Sequence, residues 1–79
     1  MGTLTTAFRT AFTSANTTFC VQVTGNGSVR LERRATSSDA WANVDTLPPG
    51  IARDVKNSVV SQEWRFVEET GTPTVKAYD

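Results

Sequence analysis

Seventy-nine residues are enough for one domain, and eight basic residues balance eight acidic ones, so the net charge is zero. That balance argues against the basic field of a nucleic-acid-binding domain and against recruitment to an anionic membrane surface. With no histidine and a single cysteine, Cys20, the chain has neither a zinc site nor an internal disulfide, and a domain this small is expected to gain stability by self-association.

In chain order, residues 1–18 carry two competing patterns. Leu4, Ala7, Phe8, Ala11 and Phe12 fall at helical spacing. Thr at 3, 5, 6, 10 and 13 is poor helix material, and Phe8, Thr10 and Phe12 also alternate as a strand would. This segment is expected to be a first strand or an N-terminal arm, and as an arm it would present Phe8 and Phe12 to a neighbouring subunit. Residues 19–79 are expected to form the folded domain. Phe19, Val21 and Val23 share one parity, with Cys20, Gln22 and Thr24 on the other. "GNG" at 25–27 supplies the positive-φ tolerance of a tight hairpin turn. The return strand puts Val29 and Leu31 inward and Arg30, Glu32 and Arg34 outward, where opposite charges pair and a charged edge resists stray strand addition.

"ATSSD" at 35–39 is a turn, and Trp41 and Val44 open a short strand that Pro48 and Pro49 end. Residues 51–60 fit strand or irregular structure. "SQEWRFVEE" at 61–69 is a strand with Trp64 and Phe66 inward and Glu63 and Arg65 outward; "TGTP" at 70–73 then turns the chain into a last strand with Val75 and Ala77 on one face, the second of two expected hairpins. Together these predict an all-β fold: a small antiparallel β-sandwich or barrel of about six or seven strands with an N-terminal arm.

The residues point away from catalysis. Without histidine the commonest acid–base group is missing. Cys20 sits mid-strand with no base in sequence to activate it, and Glu68 and Glu69 are adjacent, so a strand sends them to opposite faces. No enzymatic activity, cofactor or metal is expected. No apolar run is long enough to span a membrane and no signal-peptide pattern is present; a myristoylation-like "MGTLTT" and two Asn-x-Ser/Thr sequons are cheap matches in a Thr-rich chain. Trp64 belongs with the core. Trp41 opens its strand after a polar turn, and as a core residue it would pack inward; exposed, it would stack on a sugar or a partner surface.

Beyond alternation, the order of motifs resembles small β-sandwich structural proteins of tailed-bacteriophage virions. The residues that carry the likeness are Val29, Leu31 and Arg33; Ser37, Ser38 and Asp39; Trp41 and Val44; Trp64, Arg65 and Phe66; Gly71 and Thr72; and Val75. The likeness runs over residues 19–78 and omits "LPPGIARDVKNSVV" at 47–60. It implies a noncatalytic virion protein made in the host cytoplasm, a decoration (cement) protein on the capsid exterior. Such a protein would associate with itself, as a homotrimer or another small oligomer, and bridge capsomers of the major capsid protein. Expected partner contacts are Phe8, Phe12, Arg30, Arg34, Trp41 and Arg53, and truncation of residues 1–13 would then remove attachment and leave the sandwich folded. The nearest rival is a carbohydrate- or receptor-binding module of a tail or head fibre built on exposed aromatics. A third class, a single-stranded nucleic-acid barrel using Arg30, Arg33 and Arg34, is opposed by the zero net charge.

Overall fold

The computed structural model describes residues 2–79. The chain forms seven strands: β1 (Thr3–Thr5), β2 (Thr18–Asn26), β3 (Val29–Arg34), β4 (Ala42–Leu47), β5 (Ile51–Lys56), β6 (Glu63–Glu68) and β7 (Thr72–Tyr78); alternating burial of Val, Leu, Ala and aromatic residues marks β2, β3, β6 and β7. They form two antiparallel sheets, of order β1-β7-β2-β5 and β4-β3-β6. Every residue of the expected inward parity (Phe19, Val21, Val23, Val29, Leu31, Trp64, Phe66, Val75 and Ala77) is buried between the sheets. Pro48 and Pro49 end β4 as expected, and Gly50, at φ 82°, starts the chain back into β5.

The two expected hairpins are not hairpins. β2 and β3 lie in different sheets, and so do β6 and β7. Residues 26–28 and 69–71 are instead two corners, side by side, at which both chains pass from one sheet to the other. β2 pairs with β7 on one side of the bend and β3 pairs with β6 on the other, in nearly continuous register: Asn26 faces Thr72 and Val29 faces Glu68. The fold is therefore one long antiparallel ribbon doubled over on itself. The Ser28 amide bonds to Thr70 O at 3.2 Å and the Glu69 amide to Ser28 O at 3.0 Å, so pairing continues through the corner. Gly27 and Gly71 make the bend sterically feasible, because a Cβ on Gly27 would overlap the Thr70 carbonyl and one on Gly71 would overlap that of Asn26. β3 accordingly lies at the centre of its sheet, so its charges do not guard an edge.

Of the two readings of residues 1–18, a first strand or a free arm, the structure has the strand, β1, followed by a closing segment; Met1 lies outside the described residues. β1 pairs with β7, then the chain crosses to the β6 edge. There the Arg9 amide bonds to Phe66 O at 2.7 Å, and Phe12 exchanges two 2.9 Å backbone bonds with Trp64. Phe12 is 8% exposed and Phe8 packs partly against the core. The Phe12 ring stacks on Phe66 at 5.4 Å and meets Phe19 edge-on at 5.6 Å, a geometry in which aromatic pairs attract. Deleting residues 1–13 would thus remove a core phenylalanine, a loss of about 3–5 kcal/mol, and would not leave the sandwich intact.

Asn57, fully buried, holds the loop between β5 and β6. Its Nδ2 donates to Ser14 O (3.1 Å) and Asn16 O (2.8 Å), and its Oδ1 accepts from Gln62 Nε2 and Trp64 Nε1 at 3.0 Å each. All four hydrogen-bonding positions of the amide are filled, which is the condition for burying it at no net cost.

The corner predicts a contrast between two glycines. Gly27→Ala combines overlap with strained φ and should cost about 3 kcal/mol, lowering the melting temperature by roughly 15–20 °C. Gly50→Ala meets nothing within 4 Å and should cost about 1 kcal/mol from φ alone. Thermal melts of the two variants check this; equal losses would contradict the corner's geometry.

Candidate docking face

On the outer parity of β3 stand Arg30, Glu32 and Arg34; on that of β6 stand Glu63, Arg65 and Val67. The β3–β6 register sets Glu32 opposite Arg65 and Arg34 opposite Glu63, so each cross-strand pair is of opposite charge. Glu32 accepts from Arg65 Nε at 2.7 Å and from Arg30 Nε at 3.0 Å, one carboxylate oxygen to each. Arg34 grips Glu63 Oε1 with Nε at 2.8 Å and a terminal nitrogen at 2.7 Å. Glu32 is only 7% exposed because its flanking arginines cover it, which makes it the anchor of this face, where alternation alone put it in water.

Trp41, the residue before β4, folds onto the same face. Arg34 Cζ lies 4.1 Å and Arg65 Cζ 4.6 Å from its ring centre. The indole is half-buried and lies outside the core, so it neither packs inward nor stands free. Each stack is worth about 0.5–1 kcal/mol at a partly exposed site, and the ion pairs are of similar size where solvent screens them. Their effect is to fix positions: three arginines, two glutamates and a tryptophan held in one arrangement before any partner arrives. Arginine and tryptophan so placed are the residues that carry most binding energy in protein interfaces.

Of the expected contact residues, the fold brings Arg30, Arg34 and Trp41 together here. Phe12 is spent on the core and Phe8 is half-buried against it. Arg53 lies away from this face, on β5, where it reaches across to Asp45 of β4 at 2.8 Å and ties the two sheets along that side; with both side chains well exposed the tie is weak. Arg65 and Glu63 belong to the site although alternation alone marked them only as outward. What was missing was the pairing partner of β6, which a single sequence does not specify.

The Cys20 thiol donates to Asp54 Oδ1 at 3.3 Å. That hydrogen bond, then desolvation, then the negative charges of Asp54 and Asp79 push its pKa above the ordinary thiol value, which opposes formation of the nucleophilic thiolate. Among the described residues no three His, Cys, Asp or Glu side chains gather as metal ligands would, and no helix is long and apolar enough to cross a membrane.

No protein-family model, curated protein or solved structure matches the chain.

The Cys20 geometry gives a signed expectation. A raised pKa leaves little thiolate at pH 8, so iodoacetamide should alkylate Cys20 more slowly than an unperturbed cysteine. Asp54→Asn removes the charge and the strongest acceptor, and the rate should rise several-fold. An unchanged rate, followed by mass spectrometry in the folded protein, would contradict the assignment.

Proposed function

We propose that this chain is a noncatalytic structural protein of a tailed-bacteriophage virion, a decoration protein that docks on the capsid exterior and bridges capsomers of the major capsid protein. The virion setting is supported by the likeness of its strand and turn motifs to such proteins. The mode of action is supported by one observation above the others: the Arg34–Trp41–Arg65 stack, braced by Glu32 and Glu63, is an ordered, outward-facing Arg/Trp surface on a rigid sheet. Binding there needs little further ordering of side chains, which is the main cost that pre-organisation removes.

Two further features fit this reading. The outer arginines are already neutralised by glutamates, which suits a protein surface better than a run of phosphates. The accessible surface of 4407 Å² is close to the roughly 4,700 Å² expected of a self-contained globule of this mass. Self-association into a small homo-oligomer, which the reading includes, would then add to a folded monomer, and multivalent attachment would turn weak single contacts into lasting ones. The alternative, a carbohydrate- or receptor-binding fibre module, rests on the same half-exposed Trp41; there the two guanidiniums compete with a sugar for the ring.

Sedimentation with expanded capsids tests the proposal. The wild-type chain should co-sediment at a fixed ratio to capsid protein. Trp41→Ala and Arg65→Gln, each checked for folding by circular dichroism, should bind at least tenfold more weakly, as hot-spot truncations do. A chain that stays in the supernatant, with its tryptophan fluorescence shifted by glycans, would replace the decoration role with the fibre-module alternative.

A further inference from the structure

Beside the Arg/Trp face, at the end of the sandwich away from the glycine corner, lies an open cleft of about 450 Å³ between the β3–β4 loop and the β5–β6 loop. Its lining includes Arg33, Ala35, Ala40, Ala42, Val59 and Gln62. Both walls are built structure. Asp39 closes the β3–β4 turn by accepting from the Thr36 amide (3.0 Å) and the Thr36 hydroxyl (2.9 Å). Gln62 is tied to the buried Asn57 hub.

Two features of this cleft serve nothing else in the molecule. Arg33 is the one arginine that makes no ion pair among the described residues: Arg9, Arg30, Arg34, Arg53 and Arg65 each have a carboxylate within 3.4 Å. Its guanidinium lies 5.9 Å from the centre of the ring of buried Trp64, while the residue itself is exposed to solvent, with no protein partner for its donors. Val59 is 56% exposed, and its neighbour Val60 is 44% exposed, in a domain whose other large apolar side chains are mostly buried. Asp39 also lines the cleft, but its Oδ2 is engaged by Thr36. An unpaired cation beside exposed aliphatic surface is complementary to a ligand with one carboxylate and one apolar group.

We propose that this cleft recognises an extended acidic–apolar segment of a partner polypeptide. A carboxylate of the segment would pair with Arg33, and an aliphatic or aromatic side chain two residues on would lie against Val59 and the alanine wall. Residues i and i+2 of an extended chain point the same way, about 7 Å apart, so one short segment presents both groups on one side. Carboxylate and guanidinium are matched for a bidentate bond, and the apolar contact supplies burial that a free carboxylate ion would lack.

The test uses the full chain, labelled with ¹⁵N and ¹³C, and amidated pentapeptides Ser-(Asp or Glu)-Thr-(Leu, Ile, Val or Phe)-Ser with their Asn and Gln counterparts. The acidic peptides should shift the Arg33 Nε–H and Val59 methyl signals, saturating at sub-millimolar to millimolar concentration, at least tenfold more tightly than the amide peptides. Arg33→Gln, and independently Val59→Glu on the exposed loop, should each abolish those shifts. No shift with any acidic peptide at millimolar concentration, or equal binding of the Asn and Gln peptides, would overturn the proposal. So would a concentration-dependent oligomer lost in Arg33→Gln without peptide binding, since the occupant would then be a second copy of this chain. The cleft is independent of the virion reading: peptide binding without capsid attachment keeps the cleft and removes the decoration role, while attachment with no peptide binding does the reverse.

Discussion

The contact of two backbones at Gly27 and Gly71 is the constraint on which this fold depends. One ribbon, β2–β3 running against β6–β7, must turn back on itself, and at the turn the two chains approach too closely for any side chain. Pairing continues through the corner with a one-residue shift, so the inward parity is kept along β2–β3 (Val23, Leu31) and changes by one along β6–β7 (Phe66, Val75). Val23 and Val75 above, and Leu31 and Phe66 below, therefore end in the same core. The remaining strands complete what the doubled ribbon begins. β5 and β4 extend its sheets on one side, and the N-terminal segment closes the other by placing Phe12 between Phe19 and Phe66.

The same corner decides what the outside looks like. Once β3 lies beside β6 in that register, Glu32 has Arg65 opposite it and Arg34 has Glu63. Trp41 can then settle over two guanidiniums already fixed by carboxylates. None of these contacts is worth much for stability by itself, since exposed pairs and stacks are each of order 1 kcal/mol or less. Their joint product is a surface with few conformations to lose, which favours recognition more than folding. Glu32 is the exception, a nearly buried charge that is tolerated because both of its oxygens are satisfied.

Alternation made the strands and their inner faces readable from sequence alone: Phe19, Val21 and Val23, or Trp64 and Phe66, carry a period that only a half-buried strand satisfies. Partnership was not readable, because a period of two says which way a side chain points and nothing about which strand lies beside it. That is why "GNG" and "TGTP" looked like hairpin turns when they are corners, and why Arg65 was not joined to Arg34 and Trp41. Phe12 was missed as a core residue for a different reason. It lies in an irregular stretch anchored by backbone bonds to Trp64, where two competing spacings, helical and alternating, both include it and neither corresponds to the structure formed. Asn57 gave no signal either, since a buried amide is identified only by the four partners the fold brings to it.

In the proposed role, the face carrying Trp41 meets a capsid partner. Oxidative footprinting of the two tryptophans, with the chain free and then bound to expanded capsids, tests it most directly, with buried Trp64 as the internal control. The account predicts that Trp41 is oxidised in the free chain and protected on the capsid, while Trp64 is slow to react in both. Capsid-bound chain whose Trp41 is oxidised as fast as in solution would contradict it, because attachment would then run through some other surface.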